Sequence, residues 1–198
     1  VSAIALAGGG TIPKPGEISL SHNGVLFLDE LPEFNRNALE VMRQPLEDRE
    51  VTIARIHGKY VYPAGFMLVA ARNPCPCGMY PDLNKCTCSY RQIRQYNAKI
   101  SRPLLDRIDI NVNVQKVAYE DLLGTKKAET SAQIRKRVLA AQKIQRERYR
   151  SESFHFNSQL DGRRTQKYIK LGSAEEAMIR DVFEETDLSA RGYNRVLK

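Results

Sequence analysis

The segment Gly24-Val25-Leu26-Phe27-Leu28-Asp29-Glu30 runs from four consecutive apolar residues straight into two carboxylates. A short apolar run bounded by glycine predicts a strand buried on both faces, the pattern of a parallel sheet. In open α/β sheets ligands bind beyond the carboxyl ends of the strands, which is where Asp29 and Glu30 fall. Adjacent carboxylates there can divide the work: Asp29 to hold Mg²⁺, directly or through water, and Glu30 to orient and deprotonate an attacking water. The same residues also suit a plain strand-to-helix turn in which Asp29 caps the helix.

Working outward, Phe66–Ala70 predicts a second buried strand that ends near Asn73, and Pro32–Leu46 a helix with Leu39 and Met42 facing inward. Val51–Ala54 and Tyr60–Tyr62 flank Arg55-Ile56-His57-Gly58-Lys59, a β-hairpin with a basic tip. Residues 1–23 are rich in Gly, Pro and Ser and read as loop or a short hairpin. Ile108, Ile110, Val112 and Val114 alternate with polar residues and predict a third strand. Beyond Gln115 the signals are helical. Thr130 and Gln133 form a capping box that opens a long helix with the stripe Ile134, Val138, Ala141 and Ile144. Its other faces carry Arg135, Lys136, Arg137, Lys143, Arg146, Arg148 and Arg150. Ser173 is expected to start another helix in the same way, and Ser189 to cap the last.

The 198 residues hold 31 Lys and Arg against 23 Asp and Glu, a net charge of +8, with 42% hydrophobic residues. This is an ordinary globular composition. No apolar run approaches the roughly 20 residues of a membrane helix, and no basic start precedes an apolar leader, so a cytoplasmic protein without membrane partners is expected. The absent initiator Met and a terminal stretch that reads as an unfinished helix suggest a fragment. Residues 1–50 carry four basic and eight acidic side chains, whereas 51–150 carry nineteen and seven. A basic middle suits a polyanion such as nucleic acid or nucleotide phosphate, or equally a solvated face opposite an acidic protein.

A carboxylate pair of this kind normally accompanies a phosphate-cradling Gly-x-x-x-x-Gly-Lys-Ser/Thr loop, and the chain has none. Gly8-Gly9-Gly10 with Lys14 is no substitute, because Pro15 stands where a metal-binding hydroxyl is needed. This stretch alone is therefore expected to bind ATP poorly and to be inactive.

Cys75-x-Cys77 and Cys86-x-Cys88 place four thiols in two tight pairs. In a cytosolic chain this points to a closed tetrahedral Zn²⁺ site, with free or oxidised thiols and disulfides as the alternatives. His22, His57 and His155 show no ligand or triad spacing.

Pro15–Phe34, containing Leu28-Asp29-Glu30, closely resembles the AAA+ ATPases of the magnesium chelatase group. Arg43–Asp48, Asn73-Pro-Cys-Pro-Cys-Gly78, Pro103–Asp109 and Ser189–Tyr193 continue the resemblance nearly end to end, and the cysteine segment is most similar to the ComM/YifB, Mg chelatase-like branch. Arg102 departs from the pattern, which usually has a small residue before Pro-Leu-Leu. The resemblance implies a partial AAA+ P-loop-type parallel sheet core over residues 1–115, with the first strand and P-loop missing, and an all-helical lid over 116–198. Within the core it implies a helix-2-insert-like segment at 1–23 and a pre-sensor-1 hairpin at 50–63.

By the same resemblance Asp29 and Glu30 are the Walker B pair, Asn73 is sensor 1, Arg107 is an arginine finger and Arg191 is sensor 2. An intrachain pair of Arg107 with Asp106 or Asp109 is the competing reading. Arg55, His57 and Lys59 would then line a central pore and track DNA, or else sit on a merely solvated hairpin. The implied whole is a homo-oligomeric ring, a hexamer, that uses ATP and Mg²⁺ to drive DNA branch migration. A magnesium-chelatase motor subunit and a non-catalytic binding module are the alternatives.

Overall fold

The structure, a computed structural model, describes residues 1–56, 58–115, 117, 119, 128–186 and 188–198, with Arg191 described in its backbone only. The chain divides into two compact units, Val1–Ile110 and Asn111–Lys198.

The first unit is mixed α/β. Strands β3 (Val25–Leu28) and β6 (Met67–Ala70) pair in parallel, with Val25 opposite Met67 and Leu28 opposite Ala70. Strands β4 (Glu50–Arg55) and β5 (Gly58–Pro63) form the expected antiparallel hairpin, in register from Glu50 opposite Pro63 to Arg55 opposite Gly58. His57 lies outside the described residues. The first 23 residues are more ordered than a loop. Helix α1 (Ala3–Ala7) is capped by Ser2, a short ribbon pairs β1 (Gly8–Gly9) with β2 (Lys14–Pro15), and α2 (Glu17–Leu20) follows. The ribbon requires glycine at position 8, because φ is +91° there and a Cβ would lie 2.2 Å from the Lys14 carbonyl oxygen.

The single helix expected over Pro32–Leu46 is instead a 3₁₀ turn (Leu31–Glu33) and two helices, α3 (Arg36–Glu40) and α4 (Arg43–Asp48). Pro45 accounts for the second break. It has no N–H for the Val41 carbonyl and its ring would collide with that carbonyl, so Pro45 is accommodated only in the first turn of a new helix. Asn35 accounts for the start of α3, its side chain accepting from the Ala38 N–H at 2.8 Å. Replacing Asn35 by Ala is expected to cost about 1 kcal/mol, read as a lower denaturant midpoint with an unchanged slope.

Leu39 and Met42 do face inward, fully buried with Leu6, Ile18, Leu26, Leu28 and Leu104. The sheet, however, is not buried on both faces. Parallel register puts Val25, Phe27, Met67 and Val69 on one side, and all four are exposed, while Leu26 and Leu28 face the core. Only one layer of helices packs on this two-stranded sheet among the described residues. Residues 108–115 form no strand either. Ile110, Val112 and Val114 are exposed, because an alternating pattern becomes a strand only where a neighbouring strand accepts its hydrogen bonds. Two short helices close the unit, α5 (Tyr90–Asn97) and α6 (Arg102–Leu105).

The second unit is helical. Helix α7 (Ser131–Arg148) begins at the capping box of Thr130 and Gln133. Its apolar stripe is not covered as expected: Ile134, Val138 and Ile144 are exposed, and no residue of the helix is buried. The core forms just beyond it, where Tyr149, Phe154 and Leu160 bury together and Tyr168 meets Tyr149 edge to face at 5.0 Å. Buried aromatic rings in edge-to-face contact supply the large apolar area around which this unit packs. Helices α8 (Gly162–Tyr168), α9 (Ser173–Thr186) and α10 (Ala190–Val196) follow. Ser173 lies inside α9 as its first residue rather than ahead of it as a cap, whereas Ser189 caps α10 by accepting from the Gly192 N–H. No helix among the described residues is long and apolar enough to cross a membrane.

Candidate functional site

Backbone pairing continues past the ends of the parallel strands. The Ala71 N–H donates to the Leu28 carbonyl and the Leu31 N–H to the Ala71 carbonyl, each at 2.9 Å. These two bonds bring the Asp29-Glu30 turn and the Arg72-Asn73 turn out at the same end of the sheet. Glu30 is left-handed (φ 49°, ψ 47°), a conformation uncommon for a non-glycine residue. Its N–H is held at 2.8 Å by the Asp29 carboxylate. Asp29, Glu30 and Asn73 are all exposed. Two open carboxylates offer hard oxygen donors of the type Mg²⁺ takes while it keeps most of its water, so the donor set fits that ion.

Beneath the turn lies the buried Tyr96, on α5. Burial raises its phenol above the ordinary range, and the Glu33 and Glu30 carboxylates add to that while Arg72 opposes it. Helix α5 also grips the second turn. Asn97 accepts from the Arg72 guanidinium at 3.1 Å and donates to the Pro74 carbonyl at 3.5 Å. Lys99 pairs with Glu33 at 3.4 Å. These supports were not anticipated from sequence, although Ser89 and Gln92, the capping box of α5, are a readable signal for the helix that carries them.

Arg107 sits elsewhere. Its side chain is almost wholly buried, donating to the Arg43 carbonyl at 3.1 Å and to the Pro103 carbonyl, and ion-paired with Glu47 on α4. Neither Asp106 nor Asp109 is that partner. On the hairpin, Arg55 is tethered to the Gly10 carbonyl at 3.2 Å, Lys59 is exposed, and Ile56 beside them is 98% exposed. Arg191 lies in the first turn of α10, in the second unit.

The four cysteines converge. Their sulfurs all lie within 4.8 Å of one another, with Cys75 to Cys77 at 3.4 Å, Cys77 to Cys86 at 3.7 Å and Cys75 to Cys86 at 3.8 Å. All are free thiols. Met79 and Thr87 N–H groups aimed at Cys77 pull its thiol down to about 6. The Cys77 N–H acts on Cys88 in the same sense, but burial and the facing Cys77 and Cys75 sulfurs prevail and push that thiol up to about 11. The cluster can hold a metal ion. A shallow concavity of about 390 Å³ beside Ser2, Ile4, Asn35 and Asn37 shares no residue with these groups.

Comparison with known proteins places both units. Residues 1–122 match the family model "Magnesium chelatase, subunit ChlI" and residues 128–198 match "Magnesium chelatase, subunit ChlI C-terminal". Competence protein ComM of Haemophilus influenzae is 45% identical over 195 residues, 98% of this chain and 37% of that protein. The uncharacterized protein YifB is 41% identical over 199 residues in Salmonella typhimurium and 40% over 198 in Escherichia coli. All of this chain and 38% of each YifB are covered. The chain thus spans well under half the length of these relatives.

Proposed function

Because the chain belongs to the magnesium chelatase ChlI family, in its ComM/YifB, Mg chelatase-like branch, we propose that it is the Walker B and sensor portion of an AAA+ ATPase that moves along DNA. The observation that carries the reading is the pairing of two strand ends: Asp29 and Glu30 emerge from β3 beside Arg72 and Asn73 from β6. Asp29 would hold Mg²⁺ of the nucleotide. Glu30 orients and deprotonates the attacking water, its left-handed backbone turning the side chain out of the strand line. Asn73 steadies that water, since a carboxamide donates and accepts without adding charge. ATP and its metal supply the phosphoryl group and neutralise its charge.

The phosphate loop is not among these 198 residues, so in this reading nucleotide is bound only by a longer polypeptide. In a ring of identical subunits, a hexamer, Arg107 serves as the finger and Arg191 as sensor 2. To act across a subunit boundary Arg107 must exchange Glu47 for a phosphate. Arg55, His57 and Lys59 are the proposed DNA contacts in the pore, with the Arg55 tether to Gly10 setting the angle of the β4–β5 ribbon.

Full-length protein should hydrolyse ATP faster when DNA is added. Lys59→Ala should weaken DNA binding similarly on all sequences and flatten the slope of log affinity against log salt by about 1. DNA-independent turnover would overturn the DNA reading and favour the chelatase motor, to which the family description itself points. Absence of turnover with and without DNA would instead mark a binding module.

A further inference from the structure

We propose that Cys75, Cys77, Cys86 and Cys88 bind one Zn²⁺ as a closed, structural site that splints the sensor strand to helix α5. The sulfur spacing carries the first half. A tetrahedron with Zn–S bonds of about 2.3 Å has edges of about 3.8 Å. The edges among Cys75, Cys77 and Cys86, 3.4, 3.7 and 3.8 Å, lie near that figure and far from the roughly 2.05 Å of a disulfide, and the Cys88 sulfur lies within 4.8 Å of all three.

The backbone is arranged for thiolates. Gly78, left-handed at φ +77°, closes a turn by donating to the Cys75 carbonyl at 3.0 Å. That turn aims the Met79 and Tyr80 N–H groups at the Cys75 sulfur and Met79 also at Cys77. Across the loop, the Thr87 N–H points at Cys77 and the Cys88 N–H at Cys86. Donors directed at sulfur are the outer shell that metal–thiolate sites need. Binding would release the remaining thiol protons to solvent and leave a four-thiolate zinc unit of charge −2, which these N–H groups stabilise.

The position of the cluster carries the second half. Cys75 follows Asn73 by two residues, and Cys88 immediately precedes Ser89, the N-cap of α5. One ion would therefore join the exit of β6 to the start of the helix whose Asn97 holds Arg72 and Pro74. On the inner side, the Asn73 carboxamide lies about 4 Å from where a Cβ on Gly78 would stand. The ion thus fixes both walls around Asn73. The metal content does not depend on the ATPase reading. Only the meaning of Asn73's placement does, so the two can fail separately.

The test is metal analysis of the protein purified under reducing conditions with zinc present, followed by cobalt exchange and hydrogen exchange. The expected result is about one zinc per chain and, on replacement by Co²⁺, thiolate-to-cobalt charge-transfer bands with the intense visible absorption of tetrahedral cobalt. Cys86→Ser with Cys88→Ser should remove the metal. Should that variant not fold, the wild-type protein serves instead: all four thiols should resist alkylation until a chelator is added. Stripping the metal should also speed amide exchange over 71–75 and 90–97 while the β4–β5 hairpin is unchanged. A metal-free protein with four alkylatable thiols, or disulfide-linked peptides in the untreated protein, would overturn the site. Bound zinc whose removal leaves exchange at 71–75 unaltered would overturn the splint.

Discussion

Glu30→Gln, made in the full-length protein, should lower ATP turnover by about 10²–10⁴-fold while nucleotide affinity stays within about twofold. The substitution keeps the size and most of the hydrogen-bonding shape of the side chain and removes the carboxylate proposed as the proton acceptor. Because Glu30 is exposed and its backbone N–H is held by Asp29 rather than by its own side chain, folding should be untouched. Asp29→Asn should behave differently, raising the Mg²⁺ concentration required as well as slowing turnover, if Asp29 is the metal ligand proposed above. Steady-state kinetics with a fluorescent nucleotide titration separates the two. Turnover within tenfold of wild type in Glu30→Gln would remove Glu30 as the base.

The second large effect is on stability. Glu47→Ala leaves the Arg107 guanidinium buried with two carbonyls and without its ion-pair partner. Removing one partner of a buried pair costs about 3–5 kcal/mol, and the partial exposure of Glu47 places this one toward the lower end. Arg107→Ala should also destabilise the first unit, by less, because the partly exposed Glu47 carboxylate reaches water. Urea unfolding reads both. If Arg107 served only a neighbouring subunit, its removal would abolish turnover and leave the unfolding midpoint where it was.

The parts legible in the sequence are those governed by local rules. The carboxylates at a strand end, the basic hairpin and the caps at Thr130 and Ser189 each follow from a few adjacent residues, and so do the inward Leu39 and Met42. What was hidden depends on partners distant in sequence. Val25, Phe27, Met67 and Val69 have the composition of a doubly covered sheet, and composition does not say whether the second cover is there. Ile110, Val112 and Val114 have a strand's period without a strand's neighbour. The α7 stripe has a core's spacing, but the second unit condenses around Tyr149, Phe154 and Leu160 instead. Arg107 and Glu47, sixty residues apart, meet only because α4 and the turn after α6 are brought together. Pro45 was the exception: the helix break it imposes is a local rule, present in the sequence and outweighed there by apolar periodicity.

The bare side of the β3–β6 sheet has a practical consequence. Four large apolar side chains on a ribbon of two strands, neither paired to a third among the described residues, make a surface expected to adhere to copies of itself. For this stretch of chain by itself in solution, the expected result is self-association that grows with concentration, read by light scattering. Mild detergent or arginine in the buffer will do more for its handling than cooling, because the attraction is between molecules and is already present in the folded state.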